Sequence, residues 1–253
     1  MRSVSFDFEG ECFLVTGASS GMGRDVAMAL VRSGATVLAL ARREARLREL
    51  RAASEDTRGD LVTVACDVCD RTALEQQTAA FTSEYGKLSG TVHAAGIAVL
   101  TPVTMYNSHK AHTMMETTFW AGMDLLQLGT STDYGRESTA HVLFSSADAL
   151  CCEKGKFAYA AAKAAVNAGV RSAAKELGPK GHRVNAVLPG WVETEMTTSP
   201  AVAAMANLEA VSAREILGVG QPADVTGLVL FLLSDAARWI TGACLAVDGG
   251  YSA

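Results

Sequence analysis

No apolar run in the 253-residue sequence approaches the ~20 residues of a membrane span, so a transmembrane helix is not expected. The first stretch, Met1 to Glu11, has acidic residues and no apolar core, and it is not expected to act as a secretory signal. Basic charge is not in excess. A net charge of -5 gives no reason to expect nucleic acid or an anionic membrane as partner. Six cysteines in a chain this size do not make a disulfide framework, and reduced thiols in a cytoplasmic protein are the simplest account. Cys66-x-x-Cys69 lacks the second pair or spaced histidines that a zinc site needs, so no metal is expected. Linkers, repeats and low-complexity segments are absent too. What remains is 49% hydrophobic and 19% charged, which suits a soluble protein with a large core.

The pattern that is present alternates strand and helix. Short β-prone runs stand at Cys12–Thr16, Thr36–Ala41, Leu61–Ala65, Thr91–His93, His141–Ser145, Arg183–Leu188 and Cys244–Val247. Helical patterns fall between them, notably Arg43–Ala53, Arg71–Tyr85, a long Ser108–Leu128, the Ala-rich run from Ala158 to Ala168, and Asp224–Leu233. Repeated strand–helix units predict an α/β fold, a doubly wound parallel sheet of about seven strands with helices on both faces. One domain over residues 1–253 is expected, with a small lid around residues 194–215.

Strand Cys12–Thr16 runs into Thr16-Gly-Ala-Ser-Ser-Gly-Met-Gly23 and then into a helical pattern. Strand, glycine loop, helix is the arrangement that brings backbone N–H groups to a phosphate at a helix N-terminus. Gly17, Gly21 and Gly23 are read as the close-approach positions, with Ser19, Ser20 and Met22 between them. Many dinucleotide folds carry an acid at the end of the second strand, where it bonds the ribose 2′-OH. No acid stands there in this chain; Ala41 is followed by Arg42 and Arg43. Guanidinium groups pair well with a 2′-phosphate, so NADP(H) is expected over NAD(H). Small residues Ala94, Ala95 and Gly96 end the fourth strand and leave room for a flat ligand.

Tyr159 and Lys163 are four apart in the Ala-rich helix and share a face. A nearby ammonium is expected to lower the phenol pKa, letting Tyr159 exchange a proton with an alcohol or alkoxide. Ser146, just past a strand-like run, can bring a hydroxyl to the same place. Cys151 and Cys152 lie between Ser146 and Tyr159; neighbouring thiols are more often packing residues than reactive ones.

Together these motifs resemble the short-chain dehydrogenase/reductase family over nearly the whole chain. The resemblance implies a Rossmann-type single domain with an NADP(H) coenzyme. It places Asp67 at the adenine amine and Val68 beside the ring. His93-Ala-Ala-Gly96 resembles the family's Asn-Ala-Gly segment, with His93 in place of the more frequent Asn. Ser146, Tyr159 and Lys163 match the catalytic positions, and Thr118 falls where the family has an Asn that holds a water near the Lys. Pro189, Gly190, Val192 and Thr194 resemble the segment that holds the nicotinamide carboxamide. In the implied reaction Ser146 and Tyr159 bond the carbonyl oxygen, Tyr159 gives the proton, and Lys163 holds the ribose and acidifies Tyr159. The stretches Glu193-Thr-Glu-Met196, Gly220-Gln-Pro222 and Asp248-Gly-Gly-Tyr251 look most like 3-oxoacyl-thioester reductases. These relatives accept an acyl carrier protein or coenzyme A thioester and are commonly tetramers, so a homotetramer or homodimer is expected. A secondary-alcohol, steroid or sugar dehydrogenase, and a non-catalytic NADP(H)-binding protein, are the alternatives.

Overall fold

The computed structural model describes residues 4–198 and 215–253. Seven parallel strands are hydrogen-bonded in the order β3-β2-β1-β4-β5-β6-β7. They are β1 (Cys12–Thr16), β2 (Thr36–Ala41), β3 (Leu61–Ala65), β4 (Leu88–His93), β5 (Gly135–Phe144), β6 (Arg183–Pro189) and β7 (Cys244–Val247). Parallel pairing requires a crossover after each strand, and helices supply most of them. These are α1 (Gly21–Arg32), α2 (Glu44–Ala52), α3 (Arg71–Tyr85), α4 (Ser108–Met115), α5 (Ala121–Thr130), α6 (Asp148–Cys151), α7 (Phe157–Leu177) and α8 (Pro222–Leu233).

β1 and β4 are buried along their whole length, because helices cover both faces of the sheet. Val26 and Leu30 of α1 pack with Val229 and Leu232 of α8 in one core. On another side Leu74 and Phe81 of α3 join Leu125 and Leu128 of α5, and Leu126 meets Val166 and Val170 of α7. Local chemistry fixes the helix starts. Asp70 accepts from Ala73 N at 3.0 Å to cap α3, and Asn107 accepts from Lys110 N at 2.9 Å to cap α4. The chain winds β1 to β3 in one direction, then crosses to β4 on the other side of β1. A crevice therefore opens at the C-terminal ends of β1 and β4, where open α/β sheets bind ligands.

Three elements differ from the sequence expectation. β4 begins at Leu88 and β5 at Gly135, both earlier than the apolar runs suggested, and the two strands pair there across a register irregularity. The long helix over 108–128 is not uniform: a π-helical turn at Glu116–Trp120 separates α4 from α5. The expected lid lies mostly outside the described residues, which omit 199–214.

Candidate active site

The crevice is a cleft of about 350 Å³, walled by the glycine loop, the ends of β2 to β4, and Thr194 to Met196. Gly17 has φ +70, and a Cβ there would fall 2.7 Å from the Ala94 carbonyl carbon. A Cβ on Gly23 would fall 2.5 Å from the Gly17 carbonyl oxygen. Any side chain at either position would collide with backbone, so the tight cradle requires glycine. Ser20 precedes α1 without a side-chain cap bond, and the first turn of α1 has no acidic residue. The N–H groups and positive end of the helix are thus available to an anion. A pyrophosphate fits this cradle. Asp67, exposed, and Val68, buried, line the far end of the same cleft with Ala94, Ala95 and Gly96.

Arg42 and Arg43 also line the cleft. Arg43 Nη2 donates to Ser19 Oγ at 3.1 Å and to Ser20 Oγ at 2.6 Å, which ties the end of β2 to the glycine loop. On the opposite lip, Thr194 approaches Gly21: a Cβ there would lie 3.1 Å from Thr194 Cγ2. Val192 is buried and bridges to Gly220. Pro189 ends β6, and a Cβ on Gly190 would meet Asp248 Cα at 2.8 Å, so the backbone stays thin where the strand leaves the sheet.

Ser146 follows β5, and Tyr159 and Lys163 sit on the first turns of α7. Two bonds lock helix to strand: Ser145 Oγ donates to the Lys163 carbonyl at 3.0 Å, and Lys163 Nζ donates to the Phe144 carbonyl at 2.7 Å. The intervening loop is pinned by Lys156 Nζ on Asp148 Oδ2 at 2.8 Å, and it carries Cys152 in a left-handed conformation at φ 53. Lys163 Nζ stands 5.7 Å from the Tyr159 ring centroid and 3.6 Å from where a Gly96 Cβ would be. The ammonium therefore reaches the cleft wall at Gly96. Burial pushes the Tyr159 phenol up to about 12; a hydrogen bond with Ser146 lowers it and the Asp148 charge raises it. Burial lowers Lys163 to about 8. The direction is opposite to the acidification expected from Lys163: desolvation is the largest cause, and Lys163, whose nitrogen lies over the ring and is bound to the Phe144 carbonyl, is not among the causes.

Thr118 lies inside the π turn and is fully buried, and its Oγ1 has no hydrogen-bond partner. A Gly96 Cβ would be 3.8 Å from this hydroxyl and 3.6 Å from Lys163 Nζ, so both groups face the same point. A mid-helix threonine ordinarily bonds the carbonyl one turn back; Thr117 does so with Thr113, but Thr118 does not. The turn is held from below by His93. Its Nδ1 meets Thr16 Oγ1 at 2.9 Å and its Nε2 meets the Thr117 carbonyl at 3.0 Å. A carbonyl only accepts, so Nε2 carries the proton and Nδ1 accepts from Thr16. Burial depresses the imidazole to about 4, consistent with a neutral ring.

Sequence reading missed three participants. Thr16 and Thr117 are the partners of His93; Thr16 opens the glycine-loop motif, but nothing in the sequence pairs either threonine with the histidine. Glu195 bonds Arg43 from 152 residues away, a separation across which complementary charge alone gives no pairing. Among the described residues no group of three or more His, Cys, Asp or Glu could hold a metal, and no helix is long and apolar enough to cross a membrane.

Residues 17–252 match the family model described as Enoyl-(Acyl carrier protein) reductase. A 3-oxoacyl-(acyl-carrier-protein) reductase of Thermotoga maritima is 28% identical, with 96% of this chain and 98% of the relative covered. Galactitol 2-dehydrogenase (L-tagatose-forming) of Cereibacter sphaeroides is 33% identical, covering 98% and 97%. A short-chain type dehydrogenase/reductase from Mycobacterium ulcerans superposes with a TM-score of 0.88 at 29% identity, over 98% of this chain and 91% of that one. Members of this group work with a nicotinamide dinucleotide, for which the cleft and its glycine cradle are built. The chain is an oxidoreductase of the short-chain dehydrogenase/reductase family.

Proposed function

We propose that the protein is an NADP(H)-dependent ketoreductase that converts a ketone, a 3-oxoacyl thioester or a related carbonyl compound, to a secondary alcohol. The observation that carries this reading is the position of Lys163, whose nitrogen lies 5.7 Å from the Tyr159 ring centroid and reaches the cleft wall at Gly96, with Ser146 following β5 beside them. A bound nicotinamide supplies the hydride. Ser146 and Tyr159 direct two hydroxyl donors at the carbonyl oxygen, where negative charge develops. A phenol at about 12 is protonated at any working pH and can give its proton to the much more basic alkoxide. Lys163, held on the Phe144 carbonyl, keeps a donor at Gly96 for the coenzyme ribose. Arg42 and Arg43, with no acid at the end of β2, favour a coenzyme with a 2′-phosphate. Leu150, Phe157 and Tyr106 present exposed apolar surface on segments flanking the Ser146–Tyr159 pair, which suits an acyl tail.

The likeness to galactitol 2-dehydrogenase favours a second reading, oxidation of a secondary alcohol in a polyol. The same three side chains serve either direction. Following coenzyme absorbance with a 3-oxoacyl thioester, simple ketones and polyols, each with both coenzymes, separates the two. NADPH consumption with the thioester, lost in Tyr159→Phe while coenzyme binding survives, is the expected result. Turnover of polyols alone would replace the ketoreductase reading with the second one. Arg42→Ala is expected to weaken NADPH far more than NADH, and equal weakening would contradict the 2′-phosphate assignment. Assembly as a homotetramer or homodimer, and docking of an acyl carrier protein, belong to this proposal and are read by light scattering and by carrier-protein titration.

A further inference from the structure

Arg43, one of the two arginines lining the cleft at the end of β2, is already engaged by the chain's own carboxylate. Glu195 Oε2 accepts from Arg43 Nη1 at 2.6 Å, and Glu195 Oε1 lies 3.0 Å from Arg46 Nη2. Arg43 Nε and Nη2 donate to Ser19 and Ser20. Glu195 and Arg43 both line the cleft, so the bridge spans it from the segment after β6 to the start of α2. Two guanidinium groups converging on two oxygens is the arrangement that also receives a phosphomonoester.

We propose that Glu195 competes with the coenzyme 2′-phosphate for Arg43 and Arg46, and so sets the selectivity between NADP(H) and NAD(H). The proposal rests on reading Arg43 as part of a phosphate seat. The carboxylate and its partners are roughly half exposed: 44% for Glu195, 49% for Arg43 and 46% for Arg46. Exposed pairs hold weakly, so a phosphate with its higher charge displaces the carboxylate, at the expense of the bridge. A coenzyme that lacks the phosphate leaves the bridge in place. Glu195 thereby narrows a preference that the arginines alone would make wide.

The test uses the purified full chain and titrates 2′,5′-ADP, 5′-AMP, NADPH and NADH into the parent, Glu195→Gln, Glu195→Ala and Arg43→Ala. In both Glu195 variants, 2′,5′-ADP and NADPH should bind about three- to tenfold more tightly, the size expected on removing a weak competing ion pair. 5′-AMP and NADH should not change. Unchanged 2′,5′-ADP binding, or an equal change for all four probes, overturns the competition. Arg43→Ala separates the phosphate seat from its competitor. If it weakens 2′,5′-ADP while the Glu195 variants do nothing, the phosphate seat stands and the competitor falls. If it leaves 2′,5′-ADP unaffected, the seat itself is refuted and the competitor with it.

Discussion

His93 donates from Nε2 to the carbonyl of Thr117 at 3.0 Å, and that carbonyl belongs to the one helical turn wound in the π pattern among the described residues. The N–H of Ala121 bonds back to Glu116 rather than to Thr117, so the π pattern removes the usual donor from Thr117 and the imidazole supplies another. The ring fits because Gly122 has no side chain; a Cβ there would lie 2.9 Å from His93 Cδ2. His93→Leu would strand the Thr117 carbonyl and the Thr16 hydroxyl proton in the core, while the Thr16 oxygen still accepts from Ala95 N at 3.4 Å. A loss of about 1–3 kcal/mol is expected from urea unfolding, chiefly from the carbonyl left unpaired. His93→Asn should lose less.

Thr118 is expected to separate stability from turnover. Its hydroxyl is buried and unpartnered, so Thr118→Val removes an uncompensated polar atom at nearly constant volume. Unfolding should show the variant equal to the parent or up to about 2 kcal/mol more stable. If the hydroxyl instead holds a proton-carrying water beside Lys163, kcat should fall about tenfold or more with KM little altered. An unchanged kcat would remove Thr118 from the reaction.

The direction of turnover should respond to pH. Tyr159 is raised to about 12 by burial, so the phenol is the resident form through neutral pH. Carbonyl reduction, which uses the phenol, should be nearly flat from about pH 6 to 7, below the Lys163 value of about 8, while alcohol oxidation, which needs the phenolate, should climb with pH. Initial rates measured in both directions across this range check it. A reduction rate that climbs with pH would contradict the assignment of the proton to Tyr159.

Stability should fall in acid through the buried histidines. His93 is lowered to about 4 and His141 to about 3, chiefly by desolvation, and His141 is further opposed by the charges of His182 and Arg183. Their unfolded values lie near 6.5. Between those limits the unfolded chain takes up protons that the folded chain refuses, so stability rises with pH from about 3 to 6.5 and the histidine contribution is flat above. His93 alone should account for roughly 3 kcal/mol of the change. Thermal unfolding of the parent and of His141→Asn should differ in slope over this window. Identical slopes would mean His141 does not titrate on unfolding.

The glycine loop was legible because its function is local. A tight turn, a close backbone approach and a bare helix N-terminus need small residues at fixed spacing, and Gly17 to Gly23 supply them on consecutive residues of one strand–loop–helix unit. The strand β3 and the strand β7 were legible for the same reason, with apolar runs bounded by turn residues. The start of β5 at Gly135 was not, because Arg136, Glu137 and Ser138 are polar and exposed and lie between the Gly135 and Ala140 pairings, where the register with β4 shifts. The π turn was not legible either. It depends on a histidine from a different strand, and the sequence of α4 and α5 reads as one ordinary helix.

The sequence by itself determined the doubly wound sheet, the glycine cradle, and the helical spacing that puts Tyr159 and Lys163 on one face. These follow from backbone periodicity and steric demands that act over a few residues. Only the tertiary structure decided the electrostatics of the site. It placed Lys163 over the Tyr159 ring and on the Phe144 carbonyl, so that burial sets the phenol, and it brought Glu195 to Arg43 across the cleft. Protonation and pairing depend on desolvation and on distances between segments far apart in the chain, which no local pattern encodes.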